Sequence, residues 1–254
     1  MLRYEIKAVS SLGCMLPGFW RDGENLLSIC PNLLGRPVRK KIDLSLEVMA
    51  LPGAQFGYPT MGATTIGIVC KDGVVLASDK RIAYGFSIMS KSGKKVFPVG
   101  DRIGVGFAGL ISDAQAVLRR ISAEVRLYEL EFHKTMGVRA ATKLLSNMLY
   151  SQRYYPVFTE TMVGGVDEDC GRLFVLDQLG SMIEDNYAAI GSGGSIAIGI
   201  IEQDYNKDCG VKEGKDLAIR AVRAGIARDI ASGDGVDVLI LGKDGVREEF
   251  HPAK

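Results

Sequence analysis

The chain has 254 residues, room for one large domain or two small ones, and its 47% hydrophobic content is ample for a core. With 31 Lys and Arg against 30 Asp and Glu, its formal net charge is +1, which gives no basis for a nucleic-acid partner or an acidic surface. Its five cysteines are scattered without a C-x-x-C, which favours reduced thiols over a disulfide framework, and its two histidines, His133 and His251, stand apart from each other and from any cysteine, so neither a metal centre nor a Ser-His-Asp triad is expected.

In chain order, residues 1 to about 60 have a character of their own. They hold Trp20, the only tryptophan, together with Pro17, Pro31, Pro37, Pro52 and Pro59 and the short basic run RPVRKK. Neither helical nor strand periodicity persists there. Glu5 and Lys7 interrupt the stretch in which a signal peptide needs unbroken apolar residues. No apolar run in the sequence reaches the roughly 18 residues of a membrane span. We therefore expect a cytoplasmic chain without a membrane or nucleic-acid partner, divided into a leader or propeptide (1–62) and a folded domain (63–254). Met49 and Met61 are alternative starts that would leave much of the leader untranslated.

From Ala63 the pattern becomes regular. Residues 64–70 and 74–78 predict an antiparallel pair around Lys71-Asp72-Gly73, and 95–99 and 103–107 a second around Gly100-Asp101-Arg102. Ser112 and Asp113 supply N-cap signals for a helix that carries Ala114, Val117, Ile121, Val125 and Tyr128 on one face. Residues 138–150 repeat that signature. Strands return at 159–166, 173–177 and 187–190, helices at 195–204 and 213–231, and a last hairpin at 236–241 and 246–250. Strands in antiparallel pairs and helices in pairs argue against a parallel βαβ sheet. The economical solution is an α+β, four-layer αββα sandwich, two sheets face to face with two helices outside each.

Gly104 to Gly109 spell G-x-G-x-x-G after a strand and before a helix. A dinucleotide site requires a βαβ unit with an acidic residue closing the next strand. Here two helices precede any further strand, so we expect no cofactor, and close backbone packing or an anion site at the helix start. The glycine loops 191–194 and 232–235 read by themselves as tight connections, Asp79 as a solvated turn carboxylate and Lys95 as a strand-end cation.

Taken together, GATTIGIVCKDGVVLASDKR, MSKSGKKVFPV, GFAGLISDAQ, LLSNMLY, VGGVD, AAIGSGG and ARDIASGDGVDVLIL resemble a proteasome beta-type subunit, the archaeal kind most closely. The resemblance runs in order from Gly62 to about Gly242. It implies an N-terminal-nucleophile hydrolase fold, propeptide cleavage after the glycine, and a freed threonine that attacks peptide carbonyls with its own α-amino group as base. By position it implies Asp79 orienting Lys95, Lys95 favouring the ionised hydroxyl, the Gly109 N–H stabilising the oxyanion, and Ser192, Asp229 and Ser232 around the amine. It also implies other beta subunits in a seven-membered ring, stacked alpha-subunit rings, a regulatory ATPase acting indirectly and unfolded proteins as substrates.

The departure is central. Counting without a gap from Gly67, the Lys71-Asp72-Gly73 turn, Asp79 and Lys95, Ala63 stands where the family has its threonine. Ala63 has no hydroxyl. Thr64 is the alternative nucleophile, but a one-residue step along a strand turns a side chain to the opposite face and shifts it by about 3.3 Å, which only a bulge would absorb. We expect a noncatalytic or weakly catalytic beta-type subunit. The rivals are an active threonine endopeptidase subunit using Thr64 and an unrelated sandwich-fold binding protein.

Overall fold

The structure is a computed structural model and describes residues 62–168 and 170–253. The leader expected over residues 1–62 lies outside them but for Gly62.

Strand β1 (Thr65–Cys70) turns through Lys71 and Asp72 into β2 (Gly73–Asp79), with Cys70 paired to Gly73. Both strands are buried almost throughout, so they read as apolar on both faces rather than alternating. A first five-stranded sheet, in the order β10-β1-β2-β11-β12, adds β10 (Tyr187–Ile190), β11 (Val236–Gly242) and β12 (Gly245–His251). The second follows the order β5-β6-β7-β8-β9, built from β5 (Val96–Pro98), β6 (Ile103–Gly109), β7 (Thr159–Val166), β8 (Gly171–Leu176) and β9 (Ile183–Asp185). Every pairing is antiparallel.

Helices α1 (Ile111–Phe132) and α2 (Val138–Ser151) cover the second sheet through Val117, Ile121, Val125, Leu145 and Leu149. Helices α3 (Gly194–Asp204) and α4 (Val211–Arg228) cover the first through Ala197, Ile201, Leu217, Ala218 and Val222. A third apolar layer lies between the sheets, with Ala63, Val74, Leu76, Val96, Ala108, Met162 and Leu239. The result is the expected αββα sandwich. Because β6 runs antiparallel between β5 and β7, the glycine-rich run at 104–109 stands in no βαβ unit.

Three local expectations need correction. Leu110, not Ser112 or Asp113, is the N-cap of α1, and it makes no side-chain cap; the Asp113 carboxylate instead accepts the Phe158 N–H at 2.8 Å, still in the first turn, where the helix dipole favours it. Helix α4 ends at Arg228 because Asp229 turns extended (φ −93°, ψ 119°) and its carboxylate serves the loop that follows. The hairpin of β3 (Ile82–Tyr84) and β4 (Ser87–Ser90), and the edge strand β9, are further strands; β9 is exposed at all three positions and shows no apolar alternation.

Candidate functional site

The start of β1 lays three consecutive side chains on alternating faces. Ala63 belongs to the layer between the sheets, beside Val96 and Ala108. Thr65 reaches the same way, its hydroxyl donating to the Phe107 carbonyl of β6 at 2.9 Å. Thr64 turns toward the helices. A Cβ on Gly225 of α4 would stand 2.5 Å from Thr64 Oγ1 and 2.8 Å from its Cγ2, so only a glycine lets the helix come this close.

Asp79 ends β2 and collects four donors from separate segments. Lys95 Nζ (2.7 Å) and the Thr64 amide N–H (3.0 Å) bond Oδ1, while the Arg81 and Gly233 amides, each at 3.0 Å, bond Oδ2. The lysine and aspartate side chains are 2% and 0% exposed, so this is a buried ion pair with its acceptor fully used. Burial pushes the Lys95 ammonium below the ordinary lysine range; Asp79 and then Asp229 oppose that, and Arg81 adds to it.

A second carboxylate organises the opposite side. Asp229 Oδ2 accepts Ser192 Oγ and Ser232 Oγ, both at 2.6 Å, and its Oδ1 accepts the Ala231 N–H at 3.2 Å. Ser232 Oγ also lies 2.8 Å from Thr64 Oγ1. Since an ionised carboxylate can only accept, the Ser232 proton goes to Asp229 and the Thr64 hydroxyl donates to Ser232. Thr64 therefore joins the two clusters, by its amide to Asp79 and by its hydroxyl to the Ser232–Asp229 chain.

Gly109 closes β6 one residue before the α1 cap, at φ +124°, where a Cβ would lie 3.0 Å from Thr159 Cα. A side chain is therefore excluded at this helix start. Ala108 beside it packs in one layer with Ala63. The sequence-predicted residues thus gather around the start of β1. What the sequence did not flag are the backbone donors of Arg81 and Gly233, the Gly193 N–H that bonds the Ala63 carbonyl at 3.1 Å, and Glu160, whose carboxylate holds the Gly191 N–H at 2.9 Å. Backbone donors carry no residue signature, and Glu160 reads as an ordinary strand acid.

A family model described as proteasome subunit matches residues 60–241. The chain is 50% identical over 189 residues to "Proteasome subunit beta 2" of Caldivirga maquilingensis, covering 74% of this chain and 94% of that protein. The chain belongs to the proteasome beta-subunit family. It is similarly 49% identical to "Proteasome subunit beta 2" of Thermofilum pendens (74% and 93% covered) and 48% identical to "Proteasome subunit beta 1" of Hyperthermus butylicus (72% and 90% covered).

For a proteasome beta subunit the arrangement is chemically lopsided. A buried ammonium–carboxylate pair, a hydroxyl–carboxylate chain and a glycine at a helix start are all in place. At residue 63 the chain offers a methyl group, 1% exposed, and no oxygen to ionise. No helix among the described residues is long and apolar enough to cross a membrane.

Proposed function

We propose that this chain is a beta-type subunit of the 20S proteasome core particle that carries no nucleophile of its own. The observation behind this reading is the opposed orientation of residues 63 and 64. Ala63, the residue facing the inter-sheet layer with Val96 and Ala108, lacks a hydroxyl, while the Thr64 hydroxyl is committed to Ser232 on the α4 side. In this reading Asp79, Lys95, Gly109, Ser192, Asp229 and Ser232 are the frame of a threonine-protease site without its attacking oxygen. The subunit fills a place in a seven-membered cytoplasmic ring beside active beta subunits, stacked against alpha-subunit rings, and shapes the chamber in which unfolded proteins are cut. Residues 1–62 act as a leader that the chain cannot remove by itself, because the same missing hydroxyl would have to attack the Gly62 carbonyl.

The test is the mature N-terminus of this chain by intact mass, taken from an assembly with its partner subunits, together with peptidase activity after the partners' threonines are blocked. The reading predicts an intact Gly62–Ala63 bond, or trimming further upstream by a neighbour, and no residual activity. A chain that begins cleanly at Thr64 and retains activity would establish the rival enzyme.

A further inference from the structure

Cys70 closes β1, and Cys209 sits just ahead of α4, 139 residues further along the chain. Their sulfurs stand 3.7 Å apart. The Lys71 N–H donates to the Cys209 carbonyl at 3.1 Å, so the two backbones are joined by a hydrogen bond next to the sulfur contact. A sulfur contact between backbones joined in this way is compatible with the Cα separation of about 4.4–6.8 Å that a disulfide requires, and bonding would bring the sulfurs to about 2.05 Å. Both thiols are nearly closed to solvent, at 2% and 7% exposed, among Ile68, Leu217 and the other apolar side chains beneath α3 and α4. Cys170, by contrast, is exposed and does not share this site.

We propose that Cys70 and Cys209 form an intrachain disulfide that staples the end of β1 to the entry of α4. The oxidant is a low-molecular-weight disulfide. The Cys209 thiolate attacks it, forming a mixed disulfide and expelling one small thiolate. The Cys70 thiolate then attacks the Cys209 sulfur, forming the Sγ–Sγ bond and expelling the second. Two electrons pass to the small disulfide, and the two protons lost by the protein thiols end on the two small thiols released. In the folded chain burial pushes the Cys70 thiol up, with Cys209 adding to it, so the exchange belongs to folding, before α4 closes over the sheet. Once made, the same burial shields the bond from reduction.

The full chain is refolded in a buffer of oxidised and reduced glutathione, its remaining thiols are alkylated, and it is digested without reduction. The proposal predicts a single cross-linked peptide pair joining Cys70 to Cys209, two hydrogens lighter than the separate peptides, with Cys170 alkylated. It also predicts a melting temperature several degrees above that of the chain refolded in excess dithiothreitol. Cys209→Ala is expected to melt at the same temperature in both buffers, which separates the cross-link from general effects of the reductant. Recovery of Cys70 and Cys209 as separately alkylated peptides, or cross-links scattered among other cysteines, would overturn the proposal, as would equal melting of oxidised and reduced wild-type protein.

Discussion

Thr64 Oγ1 lies 2.8 Å from Ser232 Oγ, and Ser232 in turn donates to Asp229 at 2.6 Å. That pairing places the first hydroxyl after Gly62 on the helix side of the first sheet, whereas the Asp79–Lys95 pair meets Thr64 only through its backbone amide. In the proposed reading this hydroxyl is a structural donor. Replacing Thr64 with alanine should therefore destabilise the chain by about 1 kcal/mol, the ordinary net value of one buried hydrogen bond, and leave the peptidase activity of the assembly unchanged. Urea unfolding and a peptide-hydrolysis assay on the same preparation check both halves.

The close approach of α4 to Thr64 gives a second expectation. Gly225→Ala would drive a methyl group to 2.5 Å from Thr64 Oγ1, and overpacking of this kind costs about 1–3 kcal/mol. With Thr64→Ala in the same chain, the nearest remaining Thr64-derived atom is the Cβ at 3.1 Å, so the double variant should be more stable than the sum of the single losses implies. Thermal melts of the four proteins measure that coupling. Strict additivity would mean that Thr64 does not face α4.

The architecture was largely legible in the sequence because the sandwich is built of hairpins whose turn residues announce themselves, as Lys71-Asp72 does between β1 and β2. Where elements were missed, the signal was absent. All three residues of β9 are exposed and two are acidic, and Glu184 is held by Arg139 and Arg172 through ion pairs that no periodicity shows. The side chains of the site could be placed by resemblance. The amides of Arg81, Gly193 and Gly233 could not, since any residue type supplies an N–H. The Cys70–Cys209 contact was equally hidden, because 139 residues separate its members and no local pattern links them.

Lys95 yields an expectation in pH. Burial lowers its pKa below the ordinary 10.5, so between that depressed value and 10.5 the unfolded chain binds a proton that the native chain has lost. Stability attributable to this group therefore rises with pH across that window and is flat below it. In urea midpoints followed from pH 8 upward, the wild-type chain should gain relative to Lys95→Met as the window is crossed. A constant difference between the two would show that Lys95 titrates as an ordinary surface lysine.

Removing the cation entirely probes the buried pair. Lys95→Ala leaves the Asp79 carboxylate, 0% exposed, with only its three amide donors, and breaking a buried pair in this way typically costs about 3–5 kcal/mol. Asp79→Asn with Lys95→Met should be tolerated better than Lys95→Ala alone, since no buried charge is then left uncompensated. Equilibrium unfolding of the two variants and the unmodified chain gives the comparison.

In the proposed reading the site lacks one oxygen and nothing else. Removing a nucleophile from such a unit costs about a millionfold in turnover, so restoring it in a frame that holds its geometry should recover a large part of that. The direct measurement is Ala63→Thr, assembled with its partners, assayed for cleavage at Gly62 by intact mass and for peptide hydrolysis with the partners' nucleophiles blocked. The expected product is a chain that begins at residue 63 and gains peptidase activity, both lost again when Lys95→Ala is added. Ala63→Thr that assembles normally yet keeps its leader and cleaves no peptide would contradict it.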